Sequence, residues 1–236
     1  AIAPESQIEA RQMRKNFMRE LGYLQDWVEK NPSADAWREM DDGVTPFYYT
    51  YHALNDKALL QAYGDLCHKL FASVQARFPP RSKPQPRTRL RLGVIAANIR
   101  DHAVWQDKIK GLYLFAPPDV EIHTFYCGEI VDAQTQLAEK NSAYFKQGRQ
   151  SFEAWAEAIY RQDLDVIYYP EIGLDSLVAN LACLRLAPVQ ITSWGNPLTS
   201  GLSTIDHFIS AEVFESGEAS EHYTEQLHLL HSFPSY

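Results

Sequence analysis

The stretch "RLAPVQITSWGNPLTSGLSTIDHFIS", residues 185–210, joins two short β-branched runs through a loop of small residues, Gly195-Asn196-Pro197-Leu198-Thr199-Ser200-Gly201. Runs of this length and composition, 189–194 and 206–210, read as buried strands. The loop between them is too polar to be core and too irregular to be a hairpin turn, so it has to face something else. Strand-like runs of the same kind recur upstream at 90–97, 121–127 and 165–170. Helical stripes separate several of them: Phe152, Trp155 and Ile159 mark one, and Leu177, Leu181 and Leu184 another. Near-continuous apolar strands alternating with helices indicate an α/β fold with a parallel sheet covered on both faces.

The first 80 residues carry helical periodicity instead. Ile8, Met13, Phe17, Leu21, Leu24 and Val28 recur mostly at three- and four-residue steps, and Asn31-Pro32-Ser33 stops the pattern. A second stripe, Leu59, Tyr63, Leu66, Leu70, Val74 and Phe78, begins after the N-cap candidates Asn55-Asp56 and ends at Pro79-Pro80. Between the stripes, Phe47, Tyr48, Tyr49 and Tyr51 are expected to dock this helical part on the sheet. "RSKPQPRTR" at 81–89 is basic, proline-rich and free of large apolar residues, so it reads as an exposed linker. The organisation expected is a helical lead-in subdomain at 1–80, a linker at 81–89 and an α/β domain at 90–236.

Composition narrows the partners. The 236 residues are 45% hydrophobic, enough for one sizeable core, and carry a formal charge of −8. That charge argues against a surface built for nucleic acid or anionic membrane. Cys67, Cys127 and Cys183 are widely spaced in apolar contexts and read as buried free thiols of a reducing compartment. No window approaches the roughly 18 apolar residues of a membrane span, and no basic-then-apolar leader pattern opens the chain, so a cytoplasmic protein is expected.

In an open α/β sheet, ligands bind outside the carboxyl ends of the strands. Three segments leave such ends: 98–102, with Asp101 and His102; 171–175, with Glu171 and Gly173; and 195–201. They are expected to form one rim. His102 is the side chain among them that titrates near neutral pH. It reads either as a catalytic group or as a structural one, and Asp101 either orients its ring or caps the helix that follows. Glu171 and Asp175 invite a paired-carboxylate reading, although Asp175 or Ser176 also serves as an ordinary N-cap. Serine-hydrolase, P-loop, dinucleotide and zinc motifs are absent from the sequence. His222, His228 and His231 cluster near the C-terminus, in a segment that reads first as a strand, and no metal site is expected there.

The sequence resembles the first catalytic half of the O-linked N-acetylglucosamine transferases and their bacterial SPINDLY-type relatives. The resemblance rests on Arg185, Ala187, Pro188 and Gln190; on Gly195, Pro197, Thr199, Ser200 and Gly201; on Asp206; and on Glu221, Tyr223, Glu225 and Leu227. "LRLGVIAANIRDHAVW" at 90–105 is similar to that family's first strand and His-bearing loop, and 45–79 to the helical lead-in of its bacterial members. The fold it implies is a Rossmann-like parallel sheet, the acceptor-side half of a GT-B glycosyltransferase. The chemistry it implies is inverting, metal-independent transfer from a nucleotide sugar to a Ser or Thr hydroxyl of a protein, or to Asn in some relatives. The donor is a substrate and no further cofactor is implied.

The resemblance assigns His102 as a proton acceptor or an orienting group. It places Asp101, Glu171, Gly173, Gly195, Asn196, Pro197, Thr199, Ser200 and Gly201 at the substrates. The family would continue past Tyr236 into a nucleotide-binding half that shares the donor, so this chain alone is expected to be inactive. The animal enzymes carry a second His where this chain has Gln106, and an aromatic where it has Asn196, which leaves the sugar open. Two other readings stand beside this one: a non-catalytic protein-binding module that kept the acceptor-side fold, and half of a small-molecule glycosyltransferase.

Overall fold

Strands β1 (Leu90–Ala96), β2 (Val120–Tyr126), β3 (Tyr144–Gln147), β4 (Val166–Tyr169), β5 (Val189–Ser193), β6 (His207–Ala211) and β7 (Gln226–Leu230) form one sheet. The order is β3-β2-β1-β4-β5-β6-β7, and every pair is parallel. These features belong to a computed structural model that describes residues 4–31, 36–40, 46–80 and 87–232. Each strand expected from the sequence is present. The short edge strand β3, half-buried throughout, carries Lys146 and Gln147 and has no apolar run to reveal it.

Helices α1 (Gln7–Lys30), α2 (Lys57–Gln75), α3 (Lys110–Phe115), α4 (Ala133–Lys140), α5 (Phe152–Arg161) and α6 (Ser176–Ala182) surround the sheet. On one face, α2, α5 and α6 bury Leu66, Phe71, Trp155, Ile159 and Leu181 against Ile95, Phe125, Ile167 and Tyr169 of the strands. On the other, a π-helical turn at Trp105–Ile109, α3 and α4 cover Val94, Ala96, Ile122, Tyr126 and Tyr168. Beside them Ile191, Ile209 and Leu230 line a shallow, largely apolar cavity of about 330 Å³.

The helical lead-in departs from expectation in how it docks. Tyr48 and Tyr51 are exposed, and Tyr49 packs on Phe17 of α1 with ring centroids 5.1 Å apart. The docking surface is α2 itself, whose Leu66, Cys67, Leu70, Phe71 and Val74 enter the same core as the sheet. Trp37 joins them against Phe152, at 4.9 Å between rings. α1 lies farther out, and its stripe residues Ile8 and Leu24 are exposed. Asp56 holds the N-cap position of α2 without a capping bond, because its carboxylate pairs with Arg14; the Asn55 Oδ1 accepts from the Lys57 amide instead, at 2.9 Å.

Residues 81–86 of the expected linker lie outside the described residues. In its last part Thr88 and Arg89 are exposed, as expected, and it is also tied to the domain: Arg87 pairs with Asp163, and Arg89 donates to the Pro118 and Val120 carbonyls at 3.1 Å each. Cys67 and Cys183 are buried, whereas Cys127 is half-buried; all are free thiols. Among the described residues, no helix is long and apolar enough to cross a membrane.

Candidate functional site

The strand order reverses between β1 and β4, which lie side by side although β2 and β3 intervene in the chain. At such a switch point the loops leave in opposite directions and open a crevice. The loops after β1, β4 and β5 meet there, as the sequence led one to expect. Glu171 ties the first two: its Oε1 accepts from the Ala97 amide and, at 3.1 Å, the Asn98 amide, while its Oε2 takes the Asn98 Nδ2 at 2.7 Å. Asn196 ties the second and third, donating to the Ile172 carbonyl at 3.1 Å and lying against Gly173.

His102 is half-buried at the start of the helix that follows β1, and its Nδ1 accepts from the Val104 amide at 3.2 Å. A ring nitrogen that accepts an amide proton carries none itself, so the neutral ring bears its proton on Nε2. Burial, together with the charge of Arg100, lowers the imidazole's pKa and keeps the ring neutral at pH 7. In this arrangement Nε2 is a hydrogen-bond donor, which suits orienting a substrate oxygen and not taking its proton. Asp101 does not touch the ring. Its carboxylate accepts from Gln106 Nε2 at 3.0 Å, and its amide donates to Asp132 at 2.7 Å.

Several residues that the resemblance assigns to substrate have partners within the chain. Glu171 is fully buried, with both oxygens occupied by the bonds above, and it clamps two loops from beneath the rim. Burial pushes its carboxyl up, against the pull of the Asn98 side chain and the Ala97 amide. Thr199 is buried, donating to Glu225 Oε2 at 2.6 Å, and the Ser200 amide donates to Glu225 Oε1 at 2.8 Å. Gly195 faces the chain: a Cβ there would overlap the Pro170 carbonyl oxygen. Gly201, at φ +71°, packs its backbone on the Leu60 carbonyl of α2, and Gly64 returns the contact. The loop expected to be too polar for core is thus half inside, and Glu225 satisfies it. Asn196 is half-buried and Pro197 exposed; Pro197, Leu198 and Thr199 line a cavity of about 370 Å³ at the carboxyl ends of β5 and β6.

Asp175 is the N-cap of α6, accepting from the Val178 amide at 2.9 Å, the ordinary capping role that the sequence also offered it. The C-terminal histidines separate: His228 bonds to His207 at 3.0 Å, His231 to Glu212 at 2.8 Å, and His222 lines the 370 Å³ cavity. Among the described residues, no group of three or more His, Cys, Asp or Glu side chains is disposed to hold a metal ion. Glu225 and Asn98 were missed as organisers of the site. Glu225 stands in the quoted Glu-Tyr-Glu-Leu pattern, but its partner loop is distant in sequence.

Neither a protein-family model nor a curated protein matches this chain. Among solved structures, a mutant of the Thermobaculum terrenum O-GlcNAc transferase is similar, with a TM-score of 0.64 at 21% identity over 93% of this chain. The match covers 42% of that structure's chain. The architecture is therefore an α/β, Rossmann-like sheet like that of the O-GlcNAc transferase GT-B fold.

Proposed function

We propose that this chain is the acceptor-side domain of an inverting, nucleotide-sugar-dependent protein glycosyltransferase. The observation that carries the reading is the switch point, where Glu171 and Asn196 tie together the loops after β1, β4 and β5 and where His102, on the first of these loops, has its Nδ1 bonded to the Val104 amide. The acceptor atom, a Ser or Thr hydroxyl oxygen or an Asn side-chain nitrogen, attacks the anomeric carbon from the face opposite the diphosphate. The bond to the diphosphate breaks with its electron pair leaving on the phosphate oxygen, and the acceptor's proton is taken up by the released diphosphate, directly or through solvent, since His102 Nε2 already carries a proton. The role of His102 is to hold an oxygen in line by a hydrogen bond that strengthens as charge develops. No Gly-rich cradle or basic cluster follows Asp206 in the sequence, so the diphosphate is held by groups outside this chain.

A second reading, a binding module without transfer, draws support from the internal partners of Glu171, Thr199, Ser200 and Gly201. One experiment separates them. Labelled uridine- and guanosine-diphosphate sugars are offered with Ser/Thr peptides to the longest natural form of the protein, with wild-type chain and His102→Ala. Transfer that falls about 10²- to 10³-fold in a folded variant supports catalysis. An undiminished rate removes His102 from the site, and peptide binding without transfer by the wild type selects the binding module.

A further inference from the structure

Both connections that follow β5 return over the same face of the sheet. Leu202 and Ile205, between β5 and β6, belong to the core that α2, α5 and α6 form, and Tyr223, between β6 and β7, packs on Phe208 with ring centroids 4.5 Å apart. Side chains alternate along a strand, so Ile191 and Ile209, next in sequence to Thr192 and Phe208, point to the opposite face. There Ile191, Ile209 and Leu230, with Leu112 of α3 and Tyr168, wall the cavity of about 330 Å³. Its volume lies at the small end of ligand pockets, roughly 300–1,000 Å³. The hydroxyls of Tyr168 and Ser193 on these walls are bonded to each other at 2.6 Å.

One cation stands on these apolar walls. Lys108, set on the π-helical turn, is half-buried and lines the cavity, and its Nζ lies 4.4 Å from the centre of the ring of Trp194, another wall. Among the described residues its ammonium makes no hydrogen bond and no ion pair, and its Nζ keeps access to solvent, so a ligand can reach it. Asp107 also lines the cavity but is exposed, and it acts on the lysine only through space. Burial lowers the Lys108 pKa against that pull, and a charge that its surroundings disfavour gains from an anion placed beside it.

An apolar amine is repelled by the ammonium. A neutral alcohol covers the aliphatic walls and leaves the ammonium without an anion, and a sugar brings hydroxyls to walls whose own hydroxyls are already paired. A carboxylate on an aliphatic chain answers both features, the charge by a charge-assisted hydrogen bond and the walls by apolar contact. We propose that this cavity binds an aliphatic carboxylate, an oxygen of its head group accepting from Lys108 Nζ and its chain lying along Leu112, Ile191 and Ile209. The inference goes beyond sugar transfer and needs no catalysis.

The test is binding to the whole chain by calorimetry and by the Trp194 indole resonance, assigned with Trp194→Phe. The probes are octanoate, butanoate, octan-1-ol and octylammonium. Octanoate is expected to saturate and to shift Trp194, with octan-1-ol at least about ten-fold weaker and octylammonium weaker still. Affinity should rise from butanoate to octanoate by about two- to four-fold per methylene. Lys108→Met keeps an apolar stem on Trp194 and removes the charge; it should bring octanoate down to the affinity of octan-1-ol and leave octan-1-ol unchanged. Equal binding of octanoate and octan-1-ol, undiminished octanoate binding by Lys108→Met, equal binding of butanoate and octanoate, or no shift at Trp194 with octanoate overturns the proposal. None of these outcomes depends on whether the protein transfers sugar.

Discussion

One contiguous segment, residues 185–210, builds both ends of β5 and the amino end of β6, and the two ends are made differently. At the amino ends, Gln190 is fully buried and stitches four backbone groups: it donates to the Leu184 and Thr204 carbonyls at 3.0 Å each and accepts from the Leu186 and Ala187 amides at 2.9 and 3.3 Å. Arg185 pairs there with Asp206 at 2.5 Å, and Asp206 accepts from the Gln190 amide at 2.8 Å. The carboxyl ends carry the loop that meets the crevice and the cavity. Its Thr199, Ser200 and Gly201 turn inward, and Pro197 is exposed. Polar motif residues are thus a signature of a backbone that must be satisfied, and they become a site only where the satisfaction stops short.

The largest effect should come from forcing a side chain into the close contact at the carboxyl end. Gly195→Val drives its Cβ into the Pro170 carbonyl, against backbone that cannot yield, and is expected to cost more than about 4 kcal/mol. The measurement is urea unfolding; a variant that folds with near-native stability means the loop's position is wrong. Loss of sugar use alone, without loss of stability, would instead place Gly195 at the substrate.

At the opposite end, Gln190→Ala leaves two buried amides and two buried carbonyls without their partner, for a loss of about 3 kcal/mol. His102→Ala, by contrast, removes one capping bond and is expected to cost about 1 kcal/mol. Denaturation of the two variants side by side breaks the comparison if their order is reversed.

Arg185→Ala should be milder than Gln190→Ala. Its ion pair is partly exposed and screened, so about 1 kcal/mol is expected, read as a small shift in the urea midpoint. A loss as large as that of Gln190→Ala would show the amino-end network acting as one unit.

The smallest effect concerns pH. The His102 pKa is lowered in the folded chain, so between that value and its ordinary value near 6.5 the unfolded chain binds more protons. Stability from the neutral ring is therefore present above the unfolded pKa and lost as pH falls through the folded one. Wild type should gain stability relative to His102→Asn as pH rises through this window, in paired unfolding curves. Parallel profiles would mean the ring is not held neutral.

How much could be read in advance varied with the range of the interactions involved. The expected strands and the stripes of α2 and α5 were legible because apolar periodicity is a local consequence of which face is buried. β3 was not, since an edge strand of four half-buried residues needs no apolar run. The meeting of the three loops was legible from strand ends, and the position of His102 on the first of them follows from where β1 stops. The orientation of its ring was not, because that depends on the Val104 amide in the finished turn.

The sequence by itself determined a parallel α/β sheet with loops gathered at one end, because alternation of β-branched runs and helical stripes leaves few other ways to bury the apolar surface. The tertiary structure decided which polar residues face outward. Glu171 became a clamp, Thr199 and Ser200 turned to Glu225, the lead-in docked through α2 and not its tyrosines, and Asp56 was left with a buried oxygen that, among the described residues, accepts no hydrogen bond. The physical reason is that a polar side chain goes where its hydrogen bonds are completed, and those partners come from segments brought together only by the packing of the core.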